Sequence, residues 1–140
     1  NSRLDTVQAA VLQVKLKAFA DYELDAINVA AVKYTERLQD LVATPIIPAG
    51  FRSSWAQYTI KLQDSAQRDG LQAALKAEGI PSMVYYPKPM HLQTAFADSH
   101  VGLCPVATSL CARVLSLPLH PYLTEDQIDT VCNAISKFLR

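Results

Sequence analysis

The 140-residue chain is about one domain long, half apolar and 19% charged, an ordinary balance for a globular protein that can bury a core. Thirteen basic side chains offset thirteen acidic ones, which removes the electrostatic case for nucleic acid or an acidic membrane surface as partner. No apolar run nears the roughly 18 residues that a membrane-spanning helix needs, and the polar, charged opening does not read as a signal peptide.

The chain has no initiator Met and enters an amphipathic helix almost at once, so it reads as cut from a longer protein. Leu4, Val7, Val11 and Val14 follow a 3-4-3 spacing, and Leu12, Leu16 and Phe19 form a second apolar stripe. A helix greasy on two sides needs partners on two sides, one of which is expected to be missing here. Leu24, Ile27, Ala31, Tyr34, Leu38 and Leu41 then mark a long one-sided helix that ends before Thr44-Pro45. Residues 46–54 read as a short extended piece and a loop around Pro48-Ala49-Gly50. From Trp55 to Leu62, Ala56, Tyr58, Ile60 and Leu62 alternate with Gln57, Thr59 and Lys61, the pattern of a half-buried strand. Asp64 or Ser65 caps a helix running to about Glu78, and Gly79 stops it.

The stretch from Ile80 to Gln93 carries the most information. Met83 to Tyr86 predicts a second strand, in which Tyr85 and Tyr86 point to opposite faces. It feeds Pro87-Lys88-Pro89, where two prolines withdraw backbone donors and force an extended path. No core requires two tyrosines, a lysine and a histidine in such a segment, so something outside the fold is expected to determine them. Leu92 to Ala97 reads as one helical turn, Pro105 as the start of a helix to about Arg113, and Val114 to Leu117 as a third strand closed by Pro118. Thr124 and Gln127 have capping-box spacing ahead of a last helix whose stripe is Ile128, Val131, Ile135 and Phe138.

The order α-α-β-α-β-α-β-α predicts a small α+β domain with a three- or four-stranded sheet, mainly antiparallel or mixed, under helices. Residues 1–43 divide off as amphipathic interface helices and 44–140 as the small domain. Cys104, Cys111 and Cys132 are odd in number and lack metal-ligand spacing. They predict free buried thiols in a reducing compartment, which fits the cytoplasm.

Three strings stand in a telling order. Asn1-Ser2-Arg3-Leu4-Asp5-Thr6-Val7-Gln8-Ala9-Ala10 comes first, then Gly79 to Gln93 with Tyr86-Pro87-Lys88-Pro89-Met90-His91-Leu92-Gln93, then Leu117 to Ile128 with Leu117-Pro118-Leu119-His120-Pro121-Tyr122-Leu123-Thr124. Through them the whole chain resembles the C-terminal domain of the DegT/DnrJ/EryC1/StrS sugar-nucleotide aminotransferases, which are pyridoxal 5'-phosphate (PLP) enzymes. The resemblance implies the small C-terminal domain of a fold-type I PLP-dependent transferase, with a short mixed or antiparallel sheet covered by helices and preceded by two interface helices. It also implies a homodimer through the N-terminal helices, with the cofactor at the subunit boundary. The implied reaction moves an amino group from glutamate to a keto sugar nucleotide, in surface polysaccharide or amino-sugar biosynthesis. Trp55-Ala56-Gln57-Tyr58-Thr59-Ile60 is similar to the branch that makes 3-amino sugars, which points to a UDP-linked 2-acetamido-3-oxo uronic acid as acceptor.

The resemblance also assigns residues. Asn1 would give its side-chain amide to the cofactor phosphate of the other subunit, a neutral donor where a helix N-terminus already favours anions; its plain alternative is an N-cap. Arg3 would grip a diphosphate or carboxylate of the substrate, the alternative being a solvated helix arginine. Tyr85 stands where several relatives have a histidine reaching the sugar ring; it keeps a hydrogen-bonding tip but not the titration near neutral pH. Tyr86 packs against or borders the pocket, and His91 contacts substrate or bonds to backbone. Lys88 reads as a surface cation, His120 as structural, His100 as a solvent-facing loop residue, and Asp5 as a helix-start acid. Ile27 departs from the arginine common in the second helix.

In relatives, the Schiff-base lysine and the acid facing the pyridine nitrogen lie in the large N-terminal domain. None of the lysines at 15, 17, 33, 61, 76, 88 and 137 has a comparable Ser-rich, glycine-flanked context. The chain alone is therefore expected to hold no covalent PLP, to have no catalytic residue or metal of its own, and to be inactive. A reading from a different class is a stand-alone α+β binding or oligomerisation module without catalysis. An upstream coding sequence that contains the Schiff-base lysine separates the two.

Overall fold

The computed structural model describes residues 3–96 and 102–140. Strands β1 (Tyr58–Lys61) and β2 (Val114–Leu117) pair antiparallel, with Tyr58 opposite Leu117 and Ile60 opposite Leu115. Those four side chains are buried on one face, as the two-residue period of a strand requires. Thr59 and Ser116 share the other face, their hydroxyls 2.8 Å apart. Two further segments flank this pair with one antiparallel bridge each, Ala43 to Lys61 and Met83 to Ser116. The sheet expected to have three or four strands is thus a two-stranded ladder with single-bridge edges. Met83 to Tyr86 does not form the expected strand, because Pro81 and Pro87 bracket it and neither has an N–H to extend the ladder. Residues 46–54 likewise form no strand, with Pro45 and Pro48 at their head.

Helix ends follow local chemistry. Asp64 Oδ1 accepts from the Gln67 N–H at 2.8 Å to start α3 (Ser65–Ala77), and Gly79 with φ of 73° ends that turn. Pro105 opens α4 (Pro105–Arg113). Thr124 and Gln127 form a reciprocal capping box on α5 (Glu125–Leu139). The first two predicted helices are one helical run, α1 (Thr6–Ala18) and α2 (Leu24–Leu38), joined by a π turn over Phe19–Glu23. Two short 3-10 turns, Met90–Leu92 and Thr94–Phe96, stand where a single turn was expected from Leu92; its expected end, Ala97, lies outside the described residues.

The core lies between the apolar sheet face and α2, α3 and α5. Tyr34, Leu38, Leu71, Leu75, Ile128 and Ile135 fill it. Tyr58 stacks between Tyr34 and Trp55, with ring centroids 5.1 and 5.5 Å away. Every polar tip of that trio is bonded: Tyr34 Oη donates to the Pro118 carbonyl at 3.0 Å, Tyr58 Oη lies 2.7 Å from Thr35 Oγ1, and Trp55 Nε1 donates to Asn28 Oδ1 at 2.9 Å. Burial without such partners would cost several kcal/mol, ~1–3 for each group. Ala56, expected inside, is exposed because the ladder begins at Tyr58; Trp55, at φ of 49°, turns its indole inward instead. Phe138 is partly exposed and lies across Gly70, where a Cβ would come within 2.9 Å of its ring. Of the three thiols only Cys132 is buried; Cys104 and Cys111 are half-buried, since α4 sits at the edge with no buried residue. None of the described helices is long and apolar enough to cross a membrane.

Helix α1 buries nothing. Val7, Val11, Val14 and Leu16 are 63–76% exposed. Both of its predicted apolar stripes therefore lack a full cover among the described residues.

Replacing Ile60 by Ala is expected to lower unfolding free energy by about 2–5 kcal/mol, whereas Val11→Ala shifts it by less than about 0.5 kcal/mol; urea titration of the 140-residue chain reads both. Glu125 carries the second expectation. It pairs with Lys33 at 3.0 Å and with Arg37 at 3.2 Å, which together hold its carboxyl below the usual 4.5. A lowered folded-state pKa stabilises above the unfolded value and is lost as pH falls through the folded one. Between pH 6 and pH 3 the urea midpoint should therefore fall less in Glu125→Gln than in the parent.

Candidate functional site

The segment after α3 is placed by two ties. Met83 exchanges both backbone hydrogen bonds with Ser116, at 3.1 and 2.8 Å, which fixes the chain two residues before Tyr85. Beyond it, Pro89 is buried and its carbonyl accepts from the Leu92 N–H at 3.0 Å, starting the first 3-10 turn. Gln93 Nε2 reaches back to the Lys88 carbonyl at 3.4 Å. His91 Nε2 lies 3.5 Å from Thr108 Oγ1, which joins the segment to α4.

Between this segment and α4 is an open groove of about 560 Å³. Tyr85, Tyr86 and His91 line one side and Cys104, Leu110 and Cys111 the other. Tyr85 and Tyr86 do not point to opposite faces as expected: their rings meet edge to face with centroids 5.7 Å apart, and both border the groove. Alternation holds only inside a ladder, and the ladder stops at Met83. Tyr85 also borders a second, smaller and more polar hollow of about 280 Å³. There Gln57 and Ser116 meet, the Ser116 hydroxyl donating to Gln57 Oε1 at 3.4 Å. Tyr85 thus borders both an apolar hollow and a more polar one.

Arg3 is exposed just ahead of α1, where Asp5 caps the helix by accepting from the Gln8 N–H at 2.7 Å. Asn1 and His100 lie outside the described residues. Arg3 is not among the groove residues, so the structure brings Tyr85, Tyr86 and His91 together and leaves Arg3 apart. Lys88 lines the groove, and His120 Nδ1 accepts from the Tyr122 N–H at 3.2 Å, a structural bond.

Two buried charged residues escaped the sequence reading. Glu23 is 3% exposed and bonds to Lys15 and to the hydroxyl of Tyr122. Lys15 first, then Tyr122, holds its carboxyl below the usual range, and the same bond raises the Tyr122 phenol. Arg68, also buried, donates from Nη1 to the Cys111 carbonyl at 3.1 Å and so ties α3 to the end of α4. A carboxylate on an apolar helix stripe was the available signal for Glu23, and the helix periodicity hid it.

A PLP cradle needs a lysine amine, an acid for the ring nitrogen and donors for the phosphate. The groove residues include no carboxylate, and Lys88 is their one lysine among the described residues, exposed on its Pro-Lys-Pro segment. The lining of this groove does not fit that cradle.

Residues 1–136 match the model of the DegT/DnrJ/EryC1/StrS aminotransferase family. Over 137 residues the chain is 40% identical to the UDP-2-acetamido-2-deoxy-3-oxo-D-glucuronate aminotransferase of Pseudomonas aeruginosa, covering 97% of this chain and 37% of that protein. It is 43% identical over 140 residues to a UDP-N-acetyl-3-dehydro-alpha-D-glucosamine 3-aminotransferase of Acidithiobacillus ferrooxidans, covering 99% and 37%. Its fold is similar to a crystal structure of a DegT DnrJ EryC1 StrS aminotransferase from Brucella abortus, with a TM-score of 0.89, 50% identity and coverage of 99% and 37%. S. venezuelae DesV, in complex with a ketimine intermediate, gives a TM-score of 0.91 at 32% identity, with coverage of 100% and 38%. The chain spans little more than a third of the length of these relatives.

Thiol chemistry checks the groove. Burial pushes the Cys132 thiol up to about 11, with Asp129 adding to the effect and Arg37 opposing it. Cys104 and Cys111 open on the groove. In the native 140-residue chain at pH 8, an aromatic disulfide reagent should titrate Cys104 and Cys111 and leave Cys132 unreacted until denaturant is added.

Proposed function

The chain belongs to the DegT/DnrJ/EryC1/StrS aminotransferase family, and from that membership we propose that it is the C-terminal part of a PLP-dependent aminotransferase. In this reading the enzyme moves an amino group from glutamate to a UDP-linked 3-oxo sugar, a uronic acid by preference, in surface polysaccharide or amino-sugar biosynthesis. The observation that supports it most is the match, along nearly all of the chain, to two relatives named for UDP-linked 3-oxo-sugar aminotransfer.

Within that assignment the rest of the protein supplies the Schiff-base lysine and the acid at the ring nitrogen, and PLP supplies the electron sink. The chain by itself is inactive. Its own residues bind and orient. Asn1 donates to the cofactor phosphate across the subunit boundary, and Arg3 takes the sugar carboxylate or the diphosphate as a bidentate partner. Tyr85 hydrogen-bonds to the sugar from its place between the two hollows, Tyr86 walls the groove, and His91 contacts the substrate edge nearest α4. The exposed apolar sides of α1 support a homodimer through residues 1–43, because surface of that kind needs a partner. The free thiols Cys104, Cys111 and Cys132 support a cytoplasmic location in this reading.

The test uses the full-length protein with PLP, glutamate and two UDP-linked 3-oxo acceptors, one with and one without the sugar carboxylate. Mass spectrometry of the amino product reads the reaction, and failure to aminate either acceptor overturns the assignment. If Arg3 holds the carboxylate, Arg3→Ala raises KM for the uronic acid by about 30-fold or more, the cost of leaving a hydrogen-bonded charge without its partner. KM for the acceptor lacking the carboxylate should move far less.

A further inference from the structure

The π turn between α1 and α2 coincides with the most deeply buried carboxylate among the described residues. Leu24 N–H donates to the Phe19 carbonyl, a bond spanning five residues rather than four. Such a turn holds about one residue more than an α-helical turn and so re-phases the helix by roughly 100°. Without it, side chains eight apart stand about 80° out of phase on a straight helix. With it, Lys15 and Glu23 fall within about 20° of one line, and Lys15 Nζ donates to Glu23 Oε1.

The same Glu23 oxygen accepts from the hydroxyl of Tyr122, on the loop between β2 and α5. Lys15 Nζ sits 5.6 Å from the centre of the Tyr122 ring, and Tyr22 Oη lies 3.5 Å from Tyr122 Oη. His120 Nδ1 accepts from the Tyr122 N–H, which holds the loop residue in place. Two donors, Lys15 on α1 and Tyr122 on the loop, thus close on one carboxylate, and Tyr22 and His120 brace Tyr122. A carboxylate that is 3% exposed is tolerated only because it is paired and hydrogen-bonded. Nothing else of comparable polarity ties α1 to the domain among the described residues, since α1 contributes no buried side chain.

We propose that Glu23 is a positioning residue: with Lys15 and Tyr122 it locks the π turn and fixes the angle at which α1 leaves the domain, and hence where Arg3 at its far end is delivered. The consequence for the reaction rests on the aminotransferase reading above, but the mechanical part does not. Loss of the lock leaves the core intact and lets α1 sample other directions. The cofactor and substrate contacts at the start of α1 are then made by only a fraction of molecules.

The experiment has two independent readouts. Spin labels at Gln13 on α1, an exposed polar position off both apolar stripes, and Asn133 on α5 report the distance between the helices, in full-length protein with Cys104 and Cys111 replaced by Ser and diluted with unlabelled protein. The parent should give one narrow distribution. Glu23→Gln and Tyr122→Phe should broaden it, and deletion of Ala20, which removes the extra residue of the π turn, should shift it to a new value. In the kinetic assay, Glu23→Gln and Tyr122→Phe should raise the half-saturating PLP concentration and the sugar KM by about tenfold, with kcat at saturation within twofold of the parent. Should Glu23→Gln fail to fold, Tyr122→Phe keeps the Lys15 pair and still answers. A narrow, unshifted distance in the variants that fold overturns the lock. So does a loss confined to kcat. Absence of any activity in the parent defeats the aminotransferase reading alone, and the label distances still decide the lock.

Discussion

Helix α1 holds Val7, Val11, Val14 and Leu16 largely in water, an unmet demand that sets it apart from the rest of the molecule. The domain does not need α1 for its own stability: α2, α3 and α5 close the core over Tyr58, Ile60, Leu115 and Leu117. Apolar surface in water is an unfavourable state that association relieves, at roughly 25 cal/mol for each Å² removed. Helix α1 buries no side chain in its own domain, and its two apolar sides stay largely uncovered among the described residues. The relatives in its family are more than twice as long.

The site shows a second division of labour. Its apolar groove is bounded by side chains from an irregular segment that two features position, the Met83–Ser116 bridge and the buried Pro89. Rigid elements carry neither tyrosine. The sheet fixes the segment at one residue, prolines restrict the backbone beyond it, and the aromatic rings are left free of ladder constraints. That is an economical way to place polar tips at a cleft without embedding them in the core. It also explains why the polar face of the sheet, with Thr59, Ser116 and Gln57, opens toward Tyr85 instead of being covered by a helix.

Chemistry local in sequence was legible in advance. Asp64, Gly79, Pro105, Thr124 and Gln127 act within a turn of themselves, so their signals survive folding, and the helix limits they set appear where the spacing put them. The stripes of α2 and α5 were likewise readable, since amphipathic period and burial coincide for Ile27, Ala31, Tyr34, Ile128, Val131 and Ile135. Strand limits were not. Whether Met83 to Tyr86 pairs depends on a partner over thirty residues away and on prolines at both ends, so β-rich composition alone overstated the ladder. Trp55 and Ala56 exchanged places for the same reason: the alternation was right, and its starting residue was set by a turn at positive φ. Of the site residues, Tyr85, Tyr86 and His91 were found because their types were costly to explain as core. Glu23 was missed because its partners are eight and ninety-nine residues distant.

The π turn also settles how the two stripes of α1 differ. On an uninterrupted helix the Leu12, Leu16 and Phe19 stripe would continue through residues 23, 26 and 30, along one edge of the face that α2 buries. One extra residue moves that continuation to Leu24, Ile27 and Ala31, which is the α2 core stripe. The second stripe of α1 therefore shares a side with the domain core, and Leu12 and Phe19 are indeed its more sheltered members, at 44% and 37% exposure. Leu4, Val7, Val11 and Val14 point away from that side, at 61–76% exposure. A helix that read from sequence as needing two partners has begun to meet one of them through its own domain, by a one-residue change of phase. The remaining stripe has no cover among the described residues, and in the proposal above its direction is held by the π turn that Glu23 locks.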